Sequence, residues 1–140
     1  MHDYPLYPNL PAADIERARR WYSEKLLLEP AVVLGFGGVV YVAGGTPFLV
    51  YQTDNAGTAR NTAAVWVVDD LDRVMADLRS RGVTFEDYAM GDRGPTTENG
   101  VASDGSGGRA AWFKDSEGNV LNLVQMPPGM SVDAWVAAGG

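Results

Sequence analysis

Apolar residues recur along this chain in two rhythms, and the switches between them divide it into elements. Ile15, Ala18, Tyr22 and Leu26 return at helical spacing, with Arg17, Arg19, Arg20 and Lys25 as the solvated face. Asp14 ahead of this run is a good N-cap, Glu16 suits the first turn, and Pro30 forbids continuation. The same rhythm returns at Leu71, Val74, Met75 and Leu78. Asp69-Asp70 cap that second helix, Arg79 and Arg81 fall in its last turn, and Gly82 follows at C′. Elsewhere the period is two. It predicts strands over residues 4–10, 31–34, 39–43, 47–52, 63–68, 83–88, 110–114 and 120–126. The prolines in the first of these place it at a sheet edge or bulge. Residues 115–119 are turn chemistry between the last two strands, with Gly118 free to take positive φ.

The order repeats: strand, helix and three strands, then a polar linker over 54–61, then the same order again. Module 1 spans about 4–53, module 2 about 62–126, and a tail runs over 127–140. The second copy is the longer one, and the surplus fits only into residues 89–108, rich in Gly, Ser, Thr and Asp with little to bury. A loop this long inside a compact domain is usually functional or mobile.

Composition narrows the function classes. The 140 residues make one domain of ordinary size, with an unexceptional apolar fraction of 46%. A net charge of −7 argues against sequence-independent nucleic-acid binding, which needs a basic footprint, and is compatible with cationic ligands. No apolar run reaches the length of a membrane span, and the N-terminus lacks a basic stretch followed by an apolar one. A soluble, cytoplasmic protein without membrane contact is expected. The absence of cysteine fits a reducing compartment and excludes disulfides, thiolate metal sites and a Cys nucleophile.

Catalytic motifs are missing. The only histidine is His2, in the N-terminal tail, and neither G-x-S-x-G nor a P-loop occurs. Asp69-Asp70 and Glu86-Asp87 read as a cap and a solvated strand end rather than as acid–base dyads. The strand aromatics Tyr7, Tyr41, Phe48, Tyr51, Trp66, Phe85, Tyr88, Trp112 and Phe113 are core candidates first, with Trp66 assigned to packing against a helix. In the last strand Val120, Asn122, Val124 and Met126 share one face, so one amide sits among apolar side chains.

Three stretches carry a resemblance: Asp14-Ile15-Glu16-Arg17-Ala18-Arg19-Arg20-Trp21-Tyr22 with Lys25-Leu26-Leu27-Leu28, Val68-Asp69-Asp70-Leu71-Asp72, and Phe113-Lys114-Asp115-Ser116-Glu117-Gly118-Asn119. Together they resemble the vicinal oxygen chelate superfamily, which includes glyoxalase I, bleomycin resistance proteins and extradiol dioxygenases. The family often has a glycine where this chain has Leu27. The resemblance implies an α+β fold in which two βαβββ modules form a curled mixed sheet around a cleft. Metal-dependent members bind a divalent ion there with His, Glu or Gln. Carried over, the ligand positions fall on Tyr7, Ala63, Leu49 and Asn122. Alanine and leucine offer no lone pair, and neutral Tyr and Asn are poor substitutes, so neither a metal nor any other cofactor is expected.

The implied cleft is lined by Tyr7, Asn9, Leu49, Tyr51, Ala63, Val65, Trp112, Asn122 and Val124, the general form of a small-molecule pocket. The expected function is metal-free binding of a hydrophobic, aromatic or cationic small molecule, as bleomycin resistance proteins sequester their drug, with no catalytic residue assigned. The alternative is an enzyme of the same fold using Tyr, Asp or Glu as acid or base, a metal-dependent one being less favoured. A buried carboxylate or tyrosine with a shifted pKa in the cleft would discriminate the two. A homodimer is expected from the family's habit at this length and from Trp135, an apolar anchor in the 132–135 segment. The 89–108 loop is expected to lie over or beside the cleft mouth as a lid.

Overall fold

The structure, a computed structural model, describes residues 1–139 and divides into two compact units. One comprises residues 1–64 with 114–120, the other residues 65–113 with 121–140.

In the first unit β1 (Asn9–Ala12) leads into α1 (Ile15–Leu26), followed by β2 (Val32–Val33), β3 (Val39–Ala43) and β4 (Thr46–Gln52). The sheet order is β1-β4-β3-β2, with β1 parallel to β4 and the other pairs antiparallel. The expected cap is present: Asp14 is extended and its carboxylate accepts from Arg17 N at 2.9 Å. Alternate residues of β1, β3 and β4 are buried beneath α1: Leu10 and Ala12, Val39 and Tyr41, Phe48 and Val50. Tyr22 of α1 stacks on Tyr41 with centroids 5.2 Å apart, and Tyr41 stacks on Phe48 at 5.4 Å. Each such ring pair contributes roughly 0.5–1.5 kcal/mol beyond its burial, so three aromatics locate helix on sheet. The α1 helix closes at Leu27, which adopts the left-handed conformation at φ 55. A left-handed position of the kind glycine commonly takes after a helix is thus filled by a residue with a Cβ.

The first strand differs from its prediction over 4–10. Pro5 and Pro8 have no amide hydrogen, and the ladder begins only when Leu49 N donates to the Pro8 carbonyl. Tyr7 therefore precedes β1 and is 53% exposed. Pro11 is accommodated because β1 lies at the sheet edge, where a missing N–H costs no ladder bond.

The second half of the chain contributes β5 (Thr62–Val67), α2 (Leu71–Ser80), β6 (Ala102–Ser103), β7 (Arg109–Lys114), β8 (Val120–Gln125) and α3 (Val132–Gly139). Its sheet is ordered β5-β8-β7-β6, the same connectivity as the first. Two four-stranded mixed sheets, each with a helix after its first strand, make up the expected α+β architecture. Leu71, Met75 and Leu78 of α2 are buried together with Val83, Ala111, Phe113, Leu121 and Leu123. Asp70 caps α2 through Arg73 N at 3.0 Å, and Gly82 has the positive φ of 87 expected after a helix.

Two expectations fail here for one reason. Residues 83–88 do not form a strand. Only Phe85 bridges to Phe113, and Glu86 N donates to Trp112 O at 2.8 Å. Beyond that point the chain pairs with residues 89–108 instead. Thr97 N donates to Tyr88 O, Tyr88 N donates to Thr97 Oγ1, and Ala89 bridges to Thr96 around a single 3-10 turn, Gly91–Arg93. The edge of β7 left open is taken by β6, which itself lies inside the surplus segment. That segment is therefore not a bare loop. Glu98 and Val101 close a two-residue hairpin across Asn99 and Gly100, whose φ values of 52 and 81 are those of a type I′ turn. Gly100 N donates to Asp87 Oδ1, and Arg79 Nη2 donates to the Asn99 carbonyl. The 127–140 tail contributes α3, of which no residue is buried; Trp135 is 56% exposed. No described helix is long and apolar enough to cross a membrane.

Candidate functional site

Three groups with displaced acidity, Asp115, Glu117 and Tyr22, meet at the β7–β8 turn, in the first unit. Asp115 is buried. Its Oδ1 accepts from the amides of Glu117 and Asn119, both at 2.9 Å, and its Oδ2 accepts from Tyr22 Oη and Asn119 Nδ2, both at 2.8 Å. Asn119 Nδ2 also donates to the Pro11 carbonyl. Glu117, likewise buried, accepts from Asp14 N at 2.9 Å, from Arg17 Nε and Nη2 at 2.8 and 3.0 Å, and from Ser116 Oγ at 2.8 Å. Gly118 is required by its φ of 85, and a Cβ there would meet Gly57 Cα at 3.1 Å.

Burial pushes Asp115 above the usual carboxylate range, while its hydrogen bonds partly offset this. Burial would raise Glu117 too, but the hydrogen bonds from Arg17, the Asp14 amide and Ser116 outweigh it and hold the group at about 2. Burial and the Asp115 charge carry Tyr22 well above its ordinary value. All of these oxygens are already occupied. The constellation is a clasp that fastens the turn onto the first turn of α1 and the end of β1. A pattern that announces a family is here spent on structure.

A concave site lies elsewhere, within the second unit. A groove of about 510 Å³ is lined by Pro95, Thr96, Ala102, Ser103, Asp104, Arg109, Ala110, Val124, Gln125 and Pro127. Its size is that of small-molecule pockets. Much of its lining comes from the 89–108 segment, whose Asn99-Gly100 turn is bonded to Arg79 and Asp87. Gln125 Oε1 accepts from Leu71 N at 2.9 Å, so the amide's orientation is set and its NH₂ remains as a donor. Arg109 is engaged by Asp72 through two parallel hydrogen bonds of 2.9 and 2.7 Å.

The structure distributes the sequence-predicted positions over both units. In the first, Asn9, Leu49 and Tyr51 share the sheet face opposite α1, with Asn9 opposite Leu49 and Pro11 opposite Tyr51 in the ladder. Tyr7 lies outside that strand, and Ala63 is exposed on β5. In the second, Val65 is 52% exposed on β5, and Trp112 is half-buried on β7, edge-on to Tyr88 at 5.6 Å. Asn122 is buried, with both amide hydrogens engaged by the carbonyls of Ala111 and Leu123 at 2.8 and 3.2 Å. Of the predicted positions, Val124 borders the groove. Asp104, Thr96 and Gln125 were not anticipated. The Asn99-Gly100 pair was the signal that the surplus segment is ordered.

The donor set does not fit a divalent metal. Leu49 and Ala63 lack donor atoms, Tyr7 stands outside its strand, and Asn122, whose NH₂ is held by the Ala111 and Leu123 carbonyls, offers a single neutral oxygen. Among the described residues no three His, Cys, Asp or Glu side chains converge.

No protein-family model and no curated protein matches the sequence. Solved structures do match in fold. The fosfomycin resistance protein FosX from Listeria monocytogenes, in its monoclinic form, aligns with a TM-score of 0.68 at 12% identity, covering 91% of this chain and 94% of that one. UcmS2 aligns at 0.65 and 18% identity, over 86% and 96% of the two chains. Lactoylglutathione lyase from Agrobacterium tumefaciens aligns at 0.64 and 14% identity, over 87% and 92%. At such identities the likeness establishes the fold, that of glyoxalase and fosfomycin resistance structures, and leaves the chemistry to this chain's own residues.

Proposed function

We propose that this protein binds an amphipathic small molecule without a metal, in the manner of drug-sequestering proteins with this fold. The observation that carries the reading is the groove of the second unit: apolar residues in its lining, few polar groups, and no converging donors. A FosX variant has been solved with Mn(II) and a dihydroxypropylphosphonic acid, and resistance to a small antibiotic is the setting its name suggests for this chain as well. Metal-assisted chemistry of that kind is disfavoured by Leu49 and Ala63, which have no donor atom, and by Asn122, whose one oxygen is neutral. Acid–base catalysis is disfavoured too, since Asp115 is bonded to Tyr22 and Glu117 to Arg17 in the clasp and none of them borders the groove.

Thermal shift separates these readings. Adding Mn²⁺, Zn²⁺, Ni²⁺ or Fe²⁺ leaves the melting temperature unchanged, whereas a ligand at a hundredfold its Kd adds about 2.7 kcal/mol, a shift of several degrees. Ala110→Trp, which fills the groove, abolishes the ligand's shift. A metal-induced rise would overturn the metal-free reading. Tyr51→Ala tests whether the face carrying Asn9 and Leu49 shares the ligand. A loss of ~1–3 kcal/mol places the ring against it, and no loss confines binding to the groove.

The protein is proposed to act as a homodimer. Val132, Trp135 and Val136 form an exposed apolar stripe on α3, and Val65 and Val67 are exposed on β5. Light scattering at micromolar concentration should give twice the chain mass; a monomer mass refutes it.

A further inference from the structure

Building on that reading, we propose that the groove of the second unit selects a compact organic cation, with Asp104 as the anchor for its charge. Two charged side chains border the groove, Arg109 and Asp104. The guanidinium of Arg109 is matched by Asp72, whose two carboxylate oxygens accept from Nη1 and Nη2. That positive charge is neutralised in place. Asp104 is different. Its carboxylate accepts from the amide of Ser106 at 2.8 Å and from the Ser106 hydroxyl, and no basic side chain among the described residues forms an ion pair with it. The net charge presented to the groove is therefore negative. Those Ser106 hydrogen bonds favour the ionised form, which keeps Asp104 below the usual carboxylate range.

Other lining residues supply acceptors. Thr96 and Ser103 add hydroxyl oxygens to the same lining as Asp104, and an ammonium or amidinium needs several acceptors around it. Ala110, Val124 and Pro127 of that lining suit the hydrocarbon part of the ligand. An anion would meet an uncompensated carboxylate on a chain already carrying −7. The turn that holds Asp104 is closed by Ser106, so the carboxylate is oriented before the ligand arrives.

Fluorescence titration of the full chain with two aromatic dyes of similar size, cationic thioflavin T and anionic 8-anilinonaphthalene-1-sulfonate, tests this at low ionic strength. Thioflavin T should bind more tightly. Asp104→Asn keeps the Ser106 turn and removes the charge. It should lower thioflavin T affinity roughly two- to fivefold, the range of a partly solvated ion pair, and leave the anionic dye unweakened. Asp54→Asn, a charge on the linker, should change neither. If thioflavin T binding is lost in Ala110→Trp yet unaffected by Asp104→Asn, the cation anchor is overturned while the groove stands. Dye binding that survives Ala110→Trp overturns the groove reading itself.

Discussion

The two long helices begin alike and are held differently. Each opens on an extended aspartate whose carboxylate accepts from the backbone three residues on: Asp14 from Arg17 N and Asp70 from Arg73 N. Beyond that local cap, α1 is seized by a charged group. The Glu117 carboxylate takes the Asp14 amide and both ends of the Arg17 fork. The first helical amide of α2 is instead met by a neutral one, Gln125 Oε1 on β8. A carboxylate at a helix N-terminus also interacts favourably with the macrodipole, whereas an amide does so weakly. The C-terminal ends reverse the order of comfort. After α2 comes Gly82 at φ 87; α1 closes on Leu27 at φ 55, where a Cβ is strained. The lesson is that α1 is fastened by a buried charge at its start and tolerates strain at its end, while α2 is met by a neutral partner and closes on a glycine.

The largest effect should follow from cutting the charged fastening. Glu117→Ala leaves the Asp14 amide, the Arg17 guanidinium and the Ser116 hydroxyl without their carboxylate partner and should destabilise the fold by about 2–3 kcal/mol in denaturant unfolding. The cost stays below that of breaking a fully buried pair because Arg17 is half-exposed and finds water. Gln125→Ala, which removes one neutral bond, should cost about 1 kcal/mol. Equal costs would show that charge is not what distinguishes the two helix starts.

Acid sharpens the same contrast. Glu117 is held at about 2 against an ordinary 4.5, so its folded form binds its proton less readily than the unfolded chain. Its stabilisation is complete above pH 4.5 and is lost as pH falls towards 2. Asp115 carries the opposite sign. Burial raises its folded pKa, so protonation favours the fold as pH drops and opposes part of the loss. The stability gap between the native chain and Glu117→Gln isolates the first group. It should stay constant above pH 4.5 and narrow below it; a gap independent of pH would refute the assignment.

Effects smaller than the loss of Glu117 lie at the helix ends. Gly82→Ala should cost roughly 1–2 kcal/mol, the penalty for a Cβ in the left-handed region. Leu27→Gly should stabilise by up to ~1 kcal/mol. Relief of that penalty exceeds the extra chain entropy of glycine, and Leu27, 67% exposed, loses little burial.

Local signals were readable wherever a residue's partners lie within a few positions. The Asp14 and Asp70 caps, the apolar stripes of both helices, Gly82 and the repeat of strand, helix and three strands all follow from spacing and turn chemistry. Asn99-Gly100 belongs with them: its dipeptide encodes a type I′ hairpin, although the surrounding glycines and serines read as loop. The Asp115-to-Asn119 turn was legible as a turn but not as a clasp. The candidate site was less legible. Val124 lay on a predicted face, but Thr96, Asp104 and Gln125 joined it only through folding of the surplus segment.

What the sequence by itself determined is the two long helices, their caps, most of the strands and the tight turns, because these depend on covalent geometry and on contacts a few residues apart. Tertiary structure alone decided competitions among backbone groups. Residues 83–88 had the composition of a strand, yet beyond Glu86 their hydrogen bonds went to the hairpin segment, and β6 took the vacated edge of β7. It also decided that Glu117 meets Arg17 across a hundred positions of chain. Every such pairing satisfies a donor and an acceptor equally well in several arrangements. Which one wins depends on the burial of everything around it, and no local pattern records that.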